Sequence, residues 1–158
     1  ESKNWGDFVI AKSFMFYAIL SVTTLFISGP IIDKYSSKKI LPLMNIPSLL
    51  AMFILFYFDN HISSYFILGL MGISNGLANV LGSSTWAEIY GVKYIGSIKA
   101  LTTAMMVFAT AFGTAAFGLI IDFGYSIEVI AAISSIYIII ANILIVIFKR
   151  QIKPVLTK

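Results

Sequence analysis

Five nearly uninterrupted apolar runs divide this chain, and no other feature limits its fold as strongly. A helix rises about 1.5 Å per residue, so about 20 apolar residues cross a hydrocarbon core of about 30 Å. The runs are continuous rather than alternating, which argues against transmembrane β-strands. They predict an all-α, polytopic membrane bundle with five transmembrane helices, at residues 9–28, 40–58, 65–87, 100–121 and 129–148.

Helix-breaking residues separate or bend these runs. Gly29-Pro30 predicts the end of the first span, and Phe123-Gly124-Tyr125 predicts the end of the fourth. Pro42 falls in the first turn of the second span, where its missing N–H costs little, whereas Pro47 lies a turn further in. The second span is therefore predicted to kink at Pro47.

The composition excludes several classes of protein. Hydrophobic residues make up 59% of the chain and charged residues only 11%, which is far from the balance of a water-soluble globule. The chain has no cysteine and one histidine, His61, so disulfides and thiolate metal sites are excluded. The spans hold no convergent set of acid, base and nucleophile. We therefore expect no enzyme activity, no catalytic residue, no metal and no cofactor.

Basic residues are concentrated in alternate loops. Nine of the eleven Lys and Arg residues follow the first, third or fifth span: Lys34, Lys38, Lys39, Lys93, Lys99, Lys149, Arg150, Lys153 and Lys158. Cytoplasmic loops carry such an excess, so the N-terminus is predicted outside and the C-terminus inside. The net charge of +4 is then a signal of topology, and we expect no nucleic-acid partner.

A loop motif follows the first span. Gly29 is followed four residues later by Asp33, then by Lys34, and the basic pair Lys38-Lys39 precedes the next span. This pattern resembles the loop signature of the major facilitator superfamily, with Pro30 and Ser36 as departures from it. The segment from Trp86 to Lys99 is similar to the loop between the tenth and eleventh helices of bacterial members. On this match the chain covers helices eight to twelve, in the C-terminal half.

The resemblance implies a role for the loop. Gly29, Asp33, Lys34, Lys38 and Lys39 would form a cytoplasmic gating loop, in which the Asp33 carboxylate accepts hydrogen bonds at the N-terminal end of another helix. The partner helix would belong to a missing N-terminal half. The alternative is that these residues are solvated charges of a positive-inside loop.

Polar residues form one face of the first, third and fourth spans. Their spacing, at 100° per residue, groups them within narrow arcs. The substrate-cavity residues predicted from these faces are Tyr17, Ser21, Thr24, Asn75, Asn79, Ser83, Thr103, Thr110 and Thr114. The alternative is that the small polar residues serve helix packing, as Gly72 and Gly76 in a GxxxG pattern suggest.

Together these observations predict part of a secondary transporter. Its function would be transport of a small polar solute, an organic anion being one option, by alternating access in the inner (plasma) membrane. Its partners would be the solute, the lipid bilayer and the missing N-terminal half. The chain begins at Glu1 without an initiator Met, and an odd number of spans with an outer N-terminus fits a chain entered midway. The alternative function is a structural or assembly membrane subunit without transport activity of its own.

Overall fold

A computed structural model gives the fold of residues 5–148, and all regular structure in that range is helical. The helices are α1 (Asp7–Tyr35), α2 (Ser37–Ile40), α3 (Ile46–Tyr57), α4 (His61–Tyr90), α5 (Ile95–Asp122) and α6 (Ile127–Phe148), with 3-10 segments at Leu41–Asn45 and Val92–Tyr94. Five stretches are long and apolar enough to span a membrane: α1, Ser37–Tyr57, α4, Val92–Asp122 and α6. The prediction of an all-α membrane bundle with five spans is confirmed.

The first helix is longer than its predicted span. It continues through Pro30 to Tyr35, so the prediction that Gly29-Pro30 ends it is wrong. A proline inside a helix removes its own N–H from the hydrogen-bond ladder, and its ring crowds the carbonyl group four residues earlier. In an apolar environment the hydrogen bonds of the neighbouring turns can still hold the helix together. The helix ends instead at Ser36, whose φ of 68° leaves the helical region.

The second span is built from three helical pieces. The short α2 is followed by a 3-10 segment that has Pro42 in its first turn, and α3 begins at Ile46 with Pro47 in its first turn. Pro47 therefore marks the start of a new helix rather than a kink inside a continuous one. Both prolines lie where an N–H would be unbonded anyway.

Close contact between α1 and α4 forms the centre of the bundle. A Cβ placed on Gly72 would lie 2.4 Å from the Tyr17 carbonyl oxygen, and one on Gly76 would lie 2.5 Å from the Ser21 carbonyl oxygen. Two helix backbones can approach this closely only where one of them lacks side chains. In lipid the hydrophobic effect does not drive helices together, so the dispersion contacts made at such a close approach stabilise the pair instead. The predicted GxxxG packing is present in the structure.

The interior is small and rich in hydroxyl groups. The Ser13 and Ser64 Oγ atoms are 2.9 Å apart, and both serines are buried between α1 and α4. The Ser74 hydroxyl donates to the Met44 carbonyl oxygen of the 3-10 segment. These contacts join the helices by hydrogen bonds as well as by close packing.

The fourth span, which contains α5, is the least covered of the five. None of the residues of α5 is buried, and within the described part of the chain α5 contacts only α4, α6 and the 3-10 segment that precedes it. It makes no contact with α1. One long side of α5 is therefore open to lipid, water or protein outside residues 5–148.

The two ends of the bundle differ in charge. We call the end formed by residues 34–39 and 90–95 the basic end, because it carries Lys34, Lys38, Lys39 and Lys93. At the opposite end, the Trp5 Nε1–H donates to the Asp59 carbonyl oxygen over 2.9 Å. The predicted orientation, with the basic end inside, stays a prediction, and the basic tail after Phe148 lies outside the described residues.

Candidate functional site

A polar stripe runs along α4 from its midpoint towards the basic end. The Asn75 Nδ2 donates to the Ser21 Oγ of α1 over 3.2 Å, and the Asn79 Nδ2 donates to the Asn75 carbonyl oxygen over 2.9 Å. One turn further, the Ser83 hydroxyl donates to the Asn79 carbonyl oxygen. Both asparagine side chains are exposed, although they lie in the middle of a membrane-spanning helix.

The hydroxyl face of α1 lies beside this stripe. Tyr17, Ser21 and Thr24 are all half-buried at the contact with the α4 glycines. Of these three predicted cavity residues, Ser21 is the one whose side chain is hydrogen-bonded to the polar stripe. The structure thus brings Ser21, Asn75, Asn79 and Ser83 into one connected group.

An open cleft of about 330 Å³ separates the second half of α4 from the first half of α5. Its walls are mostly polar or small side chains spaced three or four residues apart on each helix. The lining residues are Ala78, Asn79, Gly82, Ser83 and Trp86 on α4, with Lys99, Thr102, Thr103 and Met106 on α5. Three predicted cavity residues, Asn79, Ser83 and Thr103, therefore meet here.

The remaining predicted threonines lie further along α5. Thr110 and Thr114 are exposed, and their hydroxyls donate to the carbonyl oxygens of Met106 and Thr110 on their own helix. They do not line the α4–α5 cleft. Their membership of a common cavity with Tyr17 and Ser21 stays a prediction.

A carboxylate joins α4 to the loop after α1 at the basic end. The Glu88 carboxylate accepts hydrogen bonds from the Ser36 hydroxyl (2.6 Å), the Ser37 hydroxyl (2.5 Å) and the Ser37 backbone N–H (3.1 Å). Ser36 has a positive φ that is costly for a residue with a side chain. Its hydrogen bond to Glu88 offsets part of that cost.

The predicted gating residues lie around this junction. Gly29, Asp33 and Lys34 occupy the last two turns of α1, whereas Lys38 and Lys39 lie in α2. The Asp33 side chain is exposed and has no partner among residues 5–148, while the Lys34 ammonium lies 5.5 Å from the centre of the Tyr35 ring. Asp33 is therefore free to contact protein outside the described chain.

Sequence reasoning missed several residues that the fold brings to the Glu88 junction and to the α4–α5 cleft. Glu88, Ser36 and Ser37 hold the basic end together, and Lys99 and Thr102 line the cleft. Trp86 also lines it, and helical spacing places it on the same face of α4 as Asn79 and Ser83. One signal was available in the sequence, because Glu88 is one of only two acidic residues beside the Lys-rich ends of the spans. No pattern in the sequence identifies the serines as its partners.

Comparison with known proteins agrees with this architecture. A family model described as Major Facilitator Superfamily matches residues 2–157, which is nearly the whole chain. No curated protein and no solved structure matches the chain significantly. Members of the matching family are membrane transporters rather than enzymes, and the match implies transport of a solute across a membrane. The chain, with its five spanning helices, therefore belongs to the major facilitator superfamily.

Proposed function

We propose that this chain forms one wall of the solute cavity in the C-terminal half of a secondary transporter. The transported solute is small and polar, and the cavity opens to each side of the plasma membrane in turn as two halves of the protein rock about it. A missing N-terminal half supplies the opposite wall. The residues proposed to face the cavity are Tyr17, Ser21, Thr24, Asn75, Asn79, Ser83, Thr103, Thr110 and Thr114.

The observation that carries this proposal is the exposure of Asn75 and Asn79 at mid-span. A primary amide offers two donors and two acceptor lone pairs. Asn75 uses one donor, towards Ser21, and accepts at Oδ1 from Asn79 over 3.4 Å, while the Asn79 Oδ1 has no donor among the described residues. Leaving such groups in hydrocarbon costs several kcal/mol, so water, solute or protein must cover them.

The gating role is proposed for the basic end. Asp33 has no partner among the described residues and lies at the end of α1, where a carboxylate can bind free N–H groups of a helix in the other half. This contact would close the cytoplasmic side in one state and break in the other. Gly29, Lys34, Lys38 and Lys39 are the other residues of the proposed gating loop.

Transport kinetics of two alanine variants test the cavity assignment. In the intact protein, we expect Asn75→Ala and Asn79→Ala to raise the KM for the solute about tenfold, which equals about 1.4 kcal/mol and is the size of one lost hydrogen bond. The detergent melting temperature should change little, because a side chain facing water leaves no apolar void when it is shortened. Radiotracer uptake and melting curves measure the two quantities.

Ser13→Ala is the matched control, because it removes an interhelical hydrogen bond between α1 and α4 at a buried position outside the proposed cavity. If Asn75 serves only to join the helices, both variants should lower the melting temperature equally and leave KM unchanged. That result would overturn the cavity assignment of Asn75. A rise in KM for Asn75→Ala, with an unchanged KM for Ser13→Ala, supports it.

A further inference from the structure

We propose that the α4–α5 cleft binds an anionic group, a carboxylate or a phosphate, on the transported solute, with Lys99 as its counter-charge. This inference rests on the proposed function and narrows its solute class to small organic anions. Lys99 is the one charged side chain that lines the cleft. No carboxylate among residues 5–148 forms an ion pair with it.

Unpaired donors line the cleft beside Lys99. The Trp86 indole N–H and the Thr103 hydroxyl have no hydrogen-bond partner in the described part of the chain. The Thr103 hydroxyl differs in this from that of Thr102, which donates to carbonyl oxygens of its own helix. An ammonium, an indole N–H and a hydroxyl together supply the donors that a carboxylate or phosphate accepts from.

The acidic residue nearest in sequence to the α4 wall does not neutralise this charge. Glu88 follows Trp86 by two residues, but its carboxylate is engaged by Ser36 and Ser37 at the junction with the loop after α1. Because its oxygens accept hydrogen bonds there, Glu88 is not available to Lys99. The cleft therefore keeps the positive charge of Lys99 without a protein counter-ion in residues 5–148.

The cleft also has a second, uncharged end. Asn79 and Trp86 are seven residues apart on α4, which separates them by about 10 Å along the helix axis. The unpaired Asn79 Oδ1 is an acceptor and suits a hydroxyl group of the solute, while the charged group lies at the Lys99 end. A volume of about 330 Å³ accommodates a small hydroxylated acid.

The test measures the electrostatic potential in the cleft with thiol reagents of equal size and opposite charge. The chain has no cysteine, and Ser83→Cys places one thiol in the cleft wall. In the purified intact protein in phosphatidylcholine vesicles, sulfonatoethyl methanethiosulfonate should modify this thiol faster than trimethylammonioethyl methanethiosulfonate, when each rate is divided by the rate of the same reagent with free 2-mercaptoethanol. Adding Lys99→Gln should reduce the ratio of the two rates about tenfold, whereas adding Lys99→Arg should preserve it.

Lys93→Gln is the matched control, because it removes the same charge from the same end of the bundle while Lys93 does not line the cleft. It should leave the rate ratio unchanged. Equal effects of Lys93→Gln and Lys99→Gln would show only a general surface potential and would overturn the site. An unchanged ratio in Lys99→Gln would overturn it as well.

Vesicles containing anionic phosphatidylglycerol distinguish a solute from a lipid headgroup. If the cleft takes a headgroup phosphate, these lipids should slow modification of Ser83→Cys by the uncharged reagent hydroxyethyl methanethiosulfonate, whose concentration at the membrane does not depend on the lipid charge. That result overturns the assignment to a solute. The labelling needs no transport, so its failure leaves the kinetic test of Asn75 and Asn79 standing. If the kinetic test overturns the cavity assignment, the labelling result still shows whether Lys99 sets the charge of the cleft.

Discussion

At the scale of single residues, the absence of side chains at Gly72 and Gly76 sets the distance between α1 and α4. Both glycines face backbone carbonyl oxygens of α1, which cannot move aside as a flexible side chain can. Gly82, six residues further along the same helix, has no neighbouring atom within 4 Å of a placed Cβ. Glycines of one helix thus have different structural roles.

We expect Gly72→Ala and Gly76→Ala to lower the unfolding free energy by about 1–3 kcal/mol each, because the added methyl group overlaps the α1 backbone. Gly82→Ala should leave it unchanged or raise it by up to about 1 kcal/mol, since alanine is the better helix former. Detergent melting of the three variants of the intact protein measures the difference. Equal melting temperatures would contradict the observed α1–α4 contact.

At the scale of elements, Glu88 connects the end of α4 to the chain between α1 and α2. Its carboxylate accepts three hydrogen bonds from two serines that lie about 50 residues earlier in the chain. Hydrogen bonds to a charged acceptor are stronger than neutral ones. The junction therefore holds the ends of α1 and α2, which carry the proposed gating residues, in a defined position relative to α4.

Glu88→Ala should reduce the unfolding free energy by about 1.5–3 kcal/mol, because it leaves the Ser37 N–H and two hydroxyls without their acceptor. Glu88→Gln should lose less unfolding free energy, since one acceptor oxygen remains.

Asp33→Asn removes a charge that has no partner in residues 5–148. It should keep the melting temperature but impair uptake. Normal uptake by Asp33→Asn would favour a merely solvated loop.

At the scale of the whole molecule, the two ends of the bundle differ in charge, and no residue of α5 is buried. The basic end is predicted to face the cytoplasm, since positively charged loops are retained there. The uncovered α5 and the exposed amides of α4 lie on the surfaces where a second half of the transporter would pack or enclose solute.

Cysteine labelling tests this orientation. In intact cells, an impermeant thiol reagent should modify Asn60→Cys and Ser126→Cys, which lie in the loops opposite the basic end. Lys39→Cys and Lys93→Cys should react only after the membrane is permeabilised. Modification of either lysine-replacement variant from outside would contradict the predicted orientation and indicate the opposite one. The unsubstituted chain has no cysteine, so it serves as the control for labelling that does not come from the introduced thiols.

The sequence by itself determined the five spans, the helical class and the family, because a helix in lipid satisfies its own backbone hydrogen bonds and needs only length and apolarity. It also identified the polar face of the first, third and fourth spans. Only the tertiary structure decided what each polar residue contacts. Ser13 and Ser21 share one face of α1, yet Ser13 is buried against Ser64 whereas Ser21 bonds to the exposed Asn75. Helical periodicity specifies a face, but the neighbour of that face depends on how distant parts of the chain pack. The serines bound by Glu88 and the donors around Lys99 come together for the same reason.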